Sequence, residues 1–205
     1  AAYQINEFHL NECQHHARKA LAYAELAQNP FLRLHAQQII GQSYVRARLV
    51  TGKREYSAEA EKYLNDAIKI GHLSGHSWTE AEAEAELAQL YEHRRSPIES
   101  IEHYQRALDL LEAARSGLGY EEFQIAYFRS VQSVYANAIQ NFLKQKKVGL
   151  AFHTLERLRS RLLLAHMGEK HMNSKTWSLE DQEQLISVIN QYGTQAVRQI
   201  YGDGT

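Results

Sequence analysis

The chain is 205 residues long, enough to bury a core as one domain or two, and its formal charge of −1 gives no global attraction to nucleic acid or an anionic membrane. A single cysteine, Cys13, excludes an internal disulfide and a cysteine-based zinc site, and fits a reducing, cytoplasmic setting. Two prolines in a sequence dominated by Leu, Ala, Glu, Gln and Arg predict helix throughout, and hence an all-α fold.

From about Ala2 to Gln28 the pattern is that of one long helix or two short ones, with Cys13, Ala17, Ala20 and Leu21 as its inward positions. Asn29-Pro30 then caps a helix in which Ile40, Gly41 and Tyr44 stand one and four apart on a single face. Thr51-Gly52-Lys53 breaks it, and the next helix, from about Ser57, carries Ala60, Leu64, Ala67 and Ile68. Gly71 to His76 closes this pair, and Thr79 with Glu82 is a capping box for the next helix. There Leu87, Ala88 and Tyr91 repeat the spacing of Ile40, Gly41 and Tyr44. After Ser96-Pro97, with Glu99 three residues beyond the cap, Ser100, Tyr104, Ala107 and Leu108 repeat that of the preceding second helix.

Ser116-Gly117-Leu118-Gly119 ends this unit. A long amphipathic helix follows, with Phe123, Tyr127, Val131, Val134, Ala138 and Phe142 on one stripe, and Ala151, Leu155 and Leu158 answer it on its partner. Gly168 to Lys175 reads as a polar break, and Ser178 caps a last helix with Leu185, Ile186, Ile189, Tyr192, Val197 and Ile200. The architecture predicted is an α-solenoid of about eight helices: a partial repeat over 2–28, repeats over about 30–73, 79–116 and 120–167, a break at 168–177, and a capping helix or the start of a following region at 178–201. The first residues, Ala1-Ala2-Tyr3, and the tail Gly202-Asp203-Gly204-Thr205 suggest a piece of a longer protein. No apolar run reaches the roughly 20 residues that span a bilayer.

The paired helices resemble tetratricopeptide repeats, in which a Leu-small-x-x-Tyr helix packs on a helix with small and aromatic positions and the pairs stack into a solenoid. The sequence departs from that pattern at Ser100, where a small Ala is usual, and lacks the early Trp. Its repeats also exceed the family's spacing of about 34 residues. A second resemblance is carried by Val134-Tyr135, Lys146 to Phe152 and Leu155 to Leu163, which are similar to the last repeat before the peptidase domain of caspase-like proteases of the CHAT family. It implies a recognition or regulatory arm, without the catalytic domain.

No catalytic constellation emerges. Cys13 stands at a packing position without a base. His72 and His76 would share a helical face as a metal pair, but Gly71 and Gly75 argue against helix there and no third ligand is spaced to join them. Glu80, Glu82, Glu84 and Glu86 alternate and so spread around their helix. No cofactor or metal is expected.

The function predicted is protein or peptide binding. Gln42, Gln89 and Gln140 each follow the small positions of successive first helices, and in the resembled family that place faces the concave groove. An amide there can donate to and accept from an extended peptide. With them we place His35, Gln38, Glu82, Glu92 and Ser133 on the binding face, with Ala85 and Ala136 beside them, for an internal, neutral or mildly basic segment. Lys144, Lys146, Lys147, Arg157 and Arg161 form a basic concentration that reads as a solvated face or a dock for an acidic partner. No aromatic residues alternate with these charges, which argues against nucleic acid. Two further readings stand beside this one: the sensor arm of a CHAT-type protease and the helical effector domain of a transcriptional regulator.

Overall fold

A computed structural model describes the backbone of residues 7–116 and 121–172 and the side chains of residues 12–114 and 131–160. The described backbone is all-α: α1 (Glu7–Leu26), α2 (Pro30–Thr51), α3 (Glu55–Ser74), α4 (Ser77–His93), α5 (Pro97–Ser116), α6 (Glu121–Lys144) and α7 (Val148–Met172). The last helix expected, after Ser178, lies outside the described residues. The chain divides into two compact units, Ala1–Ala114 and Arg115–Thr205.

Three connections share one turn. The second residue after the helix adopts the left-handed conformation at Gln28 (φ 51°), Arg95 (φ 60°) and Lys146 (φ 57°). In the α4–α5 turn Arg95 N–H donates to the Glu92 carbonyl (3.0 Å) and Ser96 N–H to that of Tyr91 (2.9 Å); the same pair of bonds closes the turns at Gln28 and Lys146. This is a Schellman end built without glycine. The next helix starts at once, since Ser100 N–H donates back to the Ser96 carbonyl, as Arg33 does to Asn29 and Ala151 to Lys147. At the first of these starts the Asn29 side chain accepts from Leu32 N–H (3.1 Å) and Pro30 occupies the first turn, as the sequence predicts.

The other two described connections use glycine in the same left-handed region, Gly52 (φ 73°) and Gly75 (φ 71°). The extra residues between Tyr44 and Ala60 are taken up by helix, because α2 runs on to Thr51 and α3 begins at Glu55. The capping box predicted at Thr79 is corrected: α4 starts two residues earlier, at Ser77, with His76 as its N-cap, and Thr79 is buried. Helix α3 likewise continues through Gly71 and His72, where the sequence predicted an irregular end. Its glycine is there for packing. A Cβ on Gly71 would lie 3.1 Å from Glu80 Cβ, so the bare backbone lets α4 approach. In α7, helix persists to Met172, past the break predicted from Gly168.

Within the first unit α2 packs against α1, α3 and α4, and α3 also packs against α4. Contact between α2 and α4, the first helices of successive pairs, is the stacking that makes a solenoid. The repeated positions form the core: Ile40, Tyr44, Ala60, Leu64, Ala67, Leu87, Ala88, Tyr104, Ala107 and Leu108 are buried. At the α2–α3 crossing a Cβ on Gly41 would sit 2.6 Å from Leu64 Cγ. In the second unit α6 packs on α7 and buries Ala138, Ile139 and Phe142 with Ala151, Leu155 and Leu158. Helix α1 departs from its predicted face, since Cys13 and Ala20 are exposed while Gln14, Ala17 and Ala24 are buried. Gln14, Ala17, Leu21 and Ala24 follow the three-and-four spacing of a helix that packs along one side.

Candidate functional site

Helix α4 is the centre of the first unit, and its interior reaches all round it. Besides Leu87, Ala88 and Leu90, it buries Glu80, Glu84 and Glu86. The alternation of acids does spread them around the helix, but toward neighbouring helices and not toward water, and each finds a partner. Glu80 lies 3.4 Å from His72 Nδ1 of α3, Glu84 Oε2 lies 2.5 Å from His103 Nδ1 of α5, and Glu86 Oε1 accepts from Gln42 Nε2 of α2 at 2.7 Å. Three helices are thus tied to one. Burial pushes the carboxyls of Glu80 and Glu86 above the ordinary value of 4.5; His72 opposes the shift at Glu80, and the Gln42 hydrogen bond with the more distant Arg46 opposes it at Glu86. Glu86 Oε2 is buried with no hydrogen-bond partner among the described residues.

The repeat register also fixes two aromatic stacks. Tyr44 lies parallel to Tyr63, with ring centroids 5.9 Å apart, and carries the Arg18 guanidinium, which bonds its hydroxyl. Tyr91 lies parallel to His103 at 5.1 Å and carries Arg94 at 5.4 Å. Ser100, the residue that departs from the tetratricopeptide pattern, is fully buried, and its Oγ donates to the Ala88 carbonyl at 2.9 Å. The hydroxyl therefore joins α5 to α4 at the crossing where a smaller residue usually lies.

The residues of the predicted binding face have the following places. Gln42 is half-buried and held by Glu86, while Gln38 is buried. His35 is half-buried, with its ring against Phe31 (centroids 4.4 Å apart). Glu82 and Gln89 are half-buried on α4, and Gln89 and Glu92 line one cavity of about 590 Å³ with Leu49, His93 and Arg95. Ala85 is buried. Ser133, exposed, and Gln140, half-buried, belong to α6 in the second unit, as does the half-buried Ala136. Of the basic concentration, Lys144, Lys146 and Lys147 are exposed around the α6–α7 turn and Arg157 is half-buried; the Arg161 side chain lies outside the described residues.

His72 lies in the last turn of α3 and His76 beyond its Gly75 cap, so the two do not share a helical face. His72 turns to Glu80, whereas His76 Nδ1 lies 2.9 Å from Ser74 Oγ and its ring rests 5.2 Å from that of Phe31. Among the described residues no three His, Cys, Asp or Glu side chains are grouped to hold a metal ion.

A second cavity, of about 560 Å³, was missed in the sequence. Arg48, Arg54, Ser57, His93, Arg94 and Arg95 line it. Its signal was present as basic residues in two turns, Lys53-Arg54 and Arg94-Arg95, but only stacking of the helix pairs reveals that the turns are neighbours.

A family model described as "Soluble NSF attachment protein, SNAP" matches residues 5–154. The chain belongs to the SNAP family. The match takes in the helical repeats of the first unit and most of the α6–α7 hairpin, so the membership and the tetratricopeptide-like pairing describe the same residues. Among solved structures, this SNAP-family chain is similar to one titled "DHF119 filament", at 18% identity and a TM-score of 0.33, over 96% of this chain and 84% of that chain. No curated protein matches it. No described helix is long and apolar enough to cross a membrane.

Proposed function

We propose that the chain is a non-catalytic attachment scaffold that holds a segment of a protein partner along the α2/α4 layer. Membership of a family described as NSF attachment proteins supports a protein partner. The observation that carries the choice of face is the cavity lined by Leu49, Gln89, Glu92, His93 and Arg95, which joins an apolar side chain to an amide, a carboxylate and cations. Such a mixture suits an extended segment, whose backbone has N–H and C=O groups to satisfy and whose side chains alternate. Glu82 and Glu92 favour a neutral or mildly basic segment, with His35, Gln38 and Gln42 as further members of that face in the first unit; Ser133 and Gln140 would serve the same purpose on α6 within the second unit. Lys144, Lys146, Lys147, Arg157 and Arg161 would dock an acidic region of the partner.

Purified NSF is the first partner to test, by titration into the full chain. Gln89→Ala and, separately, Gln140→Ala should each weaken that binding while the thermal melt stays nearly unchanged; Gln42 is left in place because it supplies the hydrogen bond to Glu86. Absence of NSF binding, or binding indifferent to both substitutions, rejects this face. A second reading, the recognition arm of a caspase-like protease, rests on the resemblance over 134–163. A His/Cys peptidase domain following these residues in the reading frame would favour it.

A further inference from the structure

The arginine-lined cavity lies where the end of α2, the start of α3 and the α4–α5 turn meet. Arg48 is fixed by a hydrogen bond to the Gly52 carbonyl, and its buried Nε has no partner among the described residues. Arg94 is held by Glu61 and by the Tyr91 ring. Arg54 and Arg95 are exposed, and neither side chain makes a hydrogen bond or ion pair among the described residues. Helix α3 begins at the wall of the cavity with no side chain capping it, because Arg54 stands at its N-cap. Four guanidinium groups therefore surround one space, with His93 as a further cation when protonated and Glu61 directly bonded to one of the four.

We propose that this cavity receives a phosphate monoester carried by a phosphorylated side chain of a protein partner. A carboxylate would bring a single charge, whereas a phosphomonoester brings about −1.5 to −2 at pH 7 and three strong acceptor oxygens. Guanidinium forks match that acceptor geometry, and an uncapped helix start adds backbone donors of the same polarity. A protein source fits better than a lipid one because the cavity shares His93 and Arg95 with the Gln89/Glu92 cavity. A segment lying in one space would carry a neighbouring side chain into the other. The inference rests on the protein-scaffold reading for the source of the phosphate, and not for the pocket itself.

The test uses the full chain. Inorganic phosphate should raise its melting temperature more than chloride at equal ionic strength. Peptides with one phosphoserine among neutral and basic residues should bind at least about tenfold more tightly than their serine counterparts, as expected for charge-assisted hydrogen bonds. Arg54→Gln with Arg95→Gln should abolish the peptide discrimination and cut the phosphate effect back to the general stabilisation that sulfate-type anions give any folded protein. Neither side chain makes a hydrogen bond or ion pair among the described residues, so the melt without phosphate should be preserved; because Arg95 also lines the Gln89/Glu92 cavity, binding of the unphosphorylated peptide is measured beside it, and Arg33→Gln, elsewhere on α2, is the control. Equal action of phosphate and chloride, or phosphopeptide binding retained by the double variant, overturns the site. Binding to phosphatidylinositol phosphate vesicles without discrimination among the peptides overturns the protein source. If NSF binding and the Gln89/Glu92 cavity both fail while phosphopeptide discrimination persists, the pocket stands without the proposed binding face.

Discussion

Gly41 shows how closely one residue can set a helix crossing. A methyl group there would meet Leu64 Cγ at 2.6 Å and Cδ2 at 2.7 Å, with the Leu64 backbone nitrogen at 3.2 Å, so neither a side-chain rotation nor a small shift relieves it all. Gly41→Ala should therefore cost about 1–3 kcal/mol from overpacking, against a gain of only about 0.5–1 kcal/mol in helix propensity. A melting temperature that rises on this substitution would show that the crossing is looser than described. Glu86 poses the opposite case, an ionisable carboxyl kept inside the stack. Its carboxyl is raised by burial, so the folded state holds a proton more tightly than the unfolded chain. The associated stability is fully present below the unfolded value of 4.5 and is lost as pH rises through the raised folded value. Glu86→Gln should consequently melt higher than the parent at pH 7, and the difference should shrink as pH falls toward 4.5. A pH-independent difference would assign the effect to packing.

At the scale of elements, the repeated device is the turn with a non-glycine residue in left-handed conformation. Gln28, Arg95 and Lys146 each occupy it, and each is followed within one residue by a new helix. An L side chain there costs on the order of 1–2 kcal/mol, which glycine avoids at the expense of unfolded-state entropy. Gln28 is exposed and stands outside both proposed cavities, which makes it the clean position to test. Gln28→Gly should raise stability by up to about 1 kcal/mol, read from urea melts; destabilisation would mean that the Gln28 side chain matters more than its backbone. The start signals at Asn29-Pro30 and Ser96-Pro97 were legible, because a cap and a proline act on neighbouring amides. Non-glycine left-handed residues left no such mark. Ser100 did mark itself as a departure, though its hydrogen bond to Ala88 depends on a helix twelve residues upstream.

Over the whole molecule, the first unit holds a core running from Ala17 to Leu90, made by α1 to α4 and extended by α5. Repeat stability comes chiefly from neighbouring helices. A fragment ending at Ala114 should thus remain helical and melt cooperatively; a non-cooperative loss of helix would mean that the first unit depends on residues beyond it. What the sequence by itself determined was the all-α class, the paired helices and their inward positions, since Leu87, Ala88, Tyr104 and Ala107 are set by a local period of 3.6 residues that any single helix displays. It misplaced Cys13 because α1 packs along one side, so its buried stripe need not follow the register of the later helices. Membership of the SNAP family came from comparison over residues 5–154. Only the tertiary structure decided the fate of the polar residues. Glu80, Glu84 and Glu86 look like a solvated run until α3, α5 and α2 supply His72, His103 and Gln42, and Arg48, Arg54, Arg94 and Arg95 look like surface charge until two turns meet. The physical reason is range: periodicity and capping act within a few residues, whereas a partner for a buried charge or a wall for a cavity comes from chain that is distant in sequence.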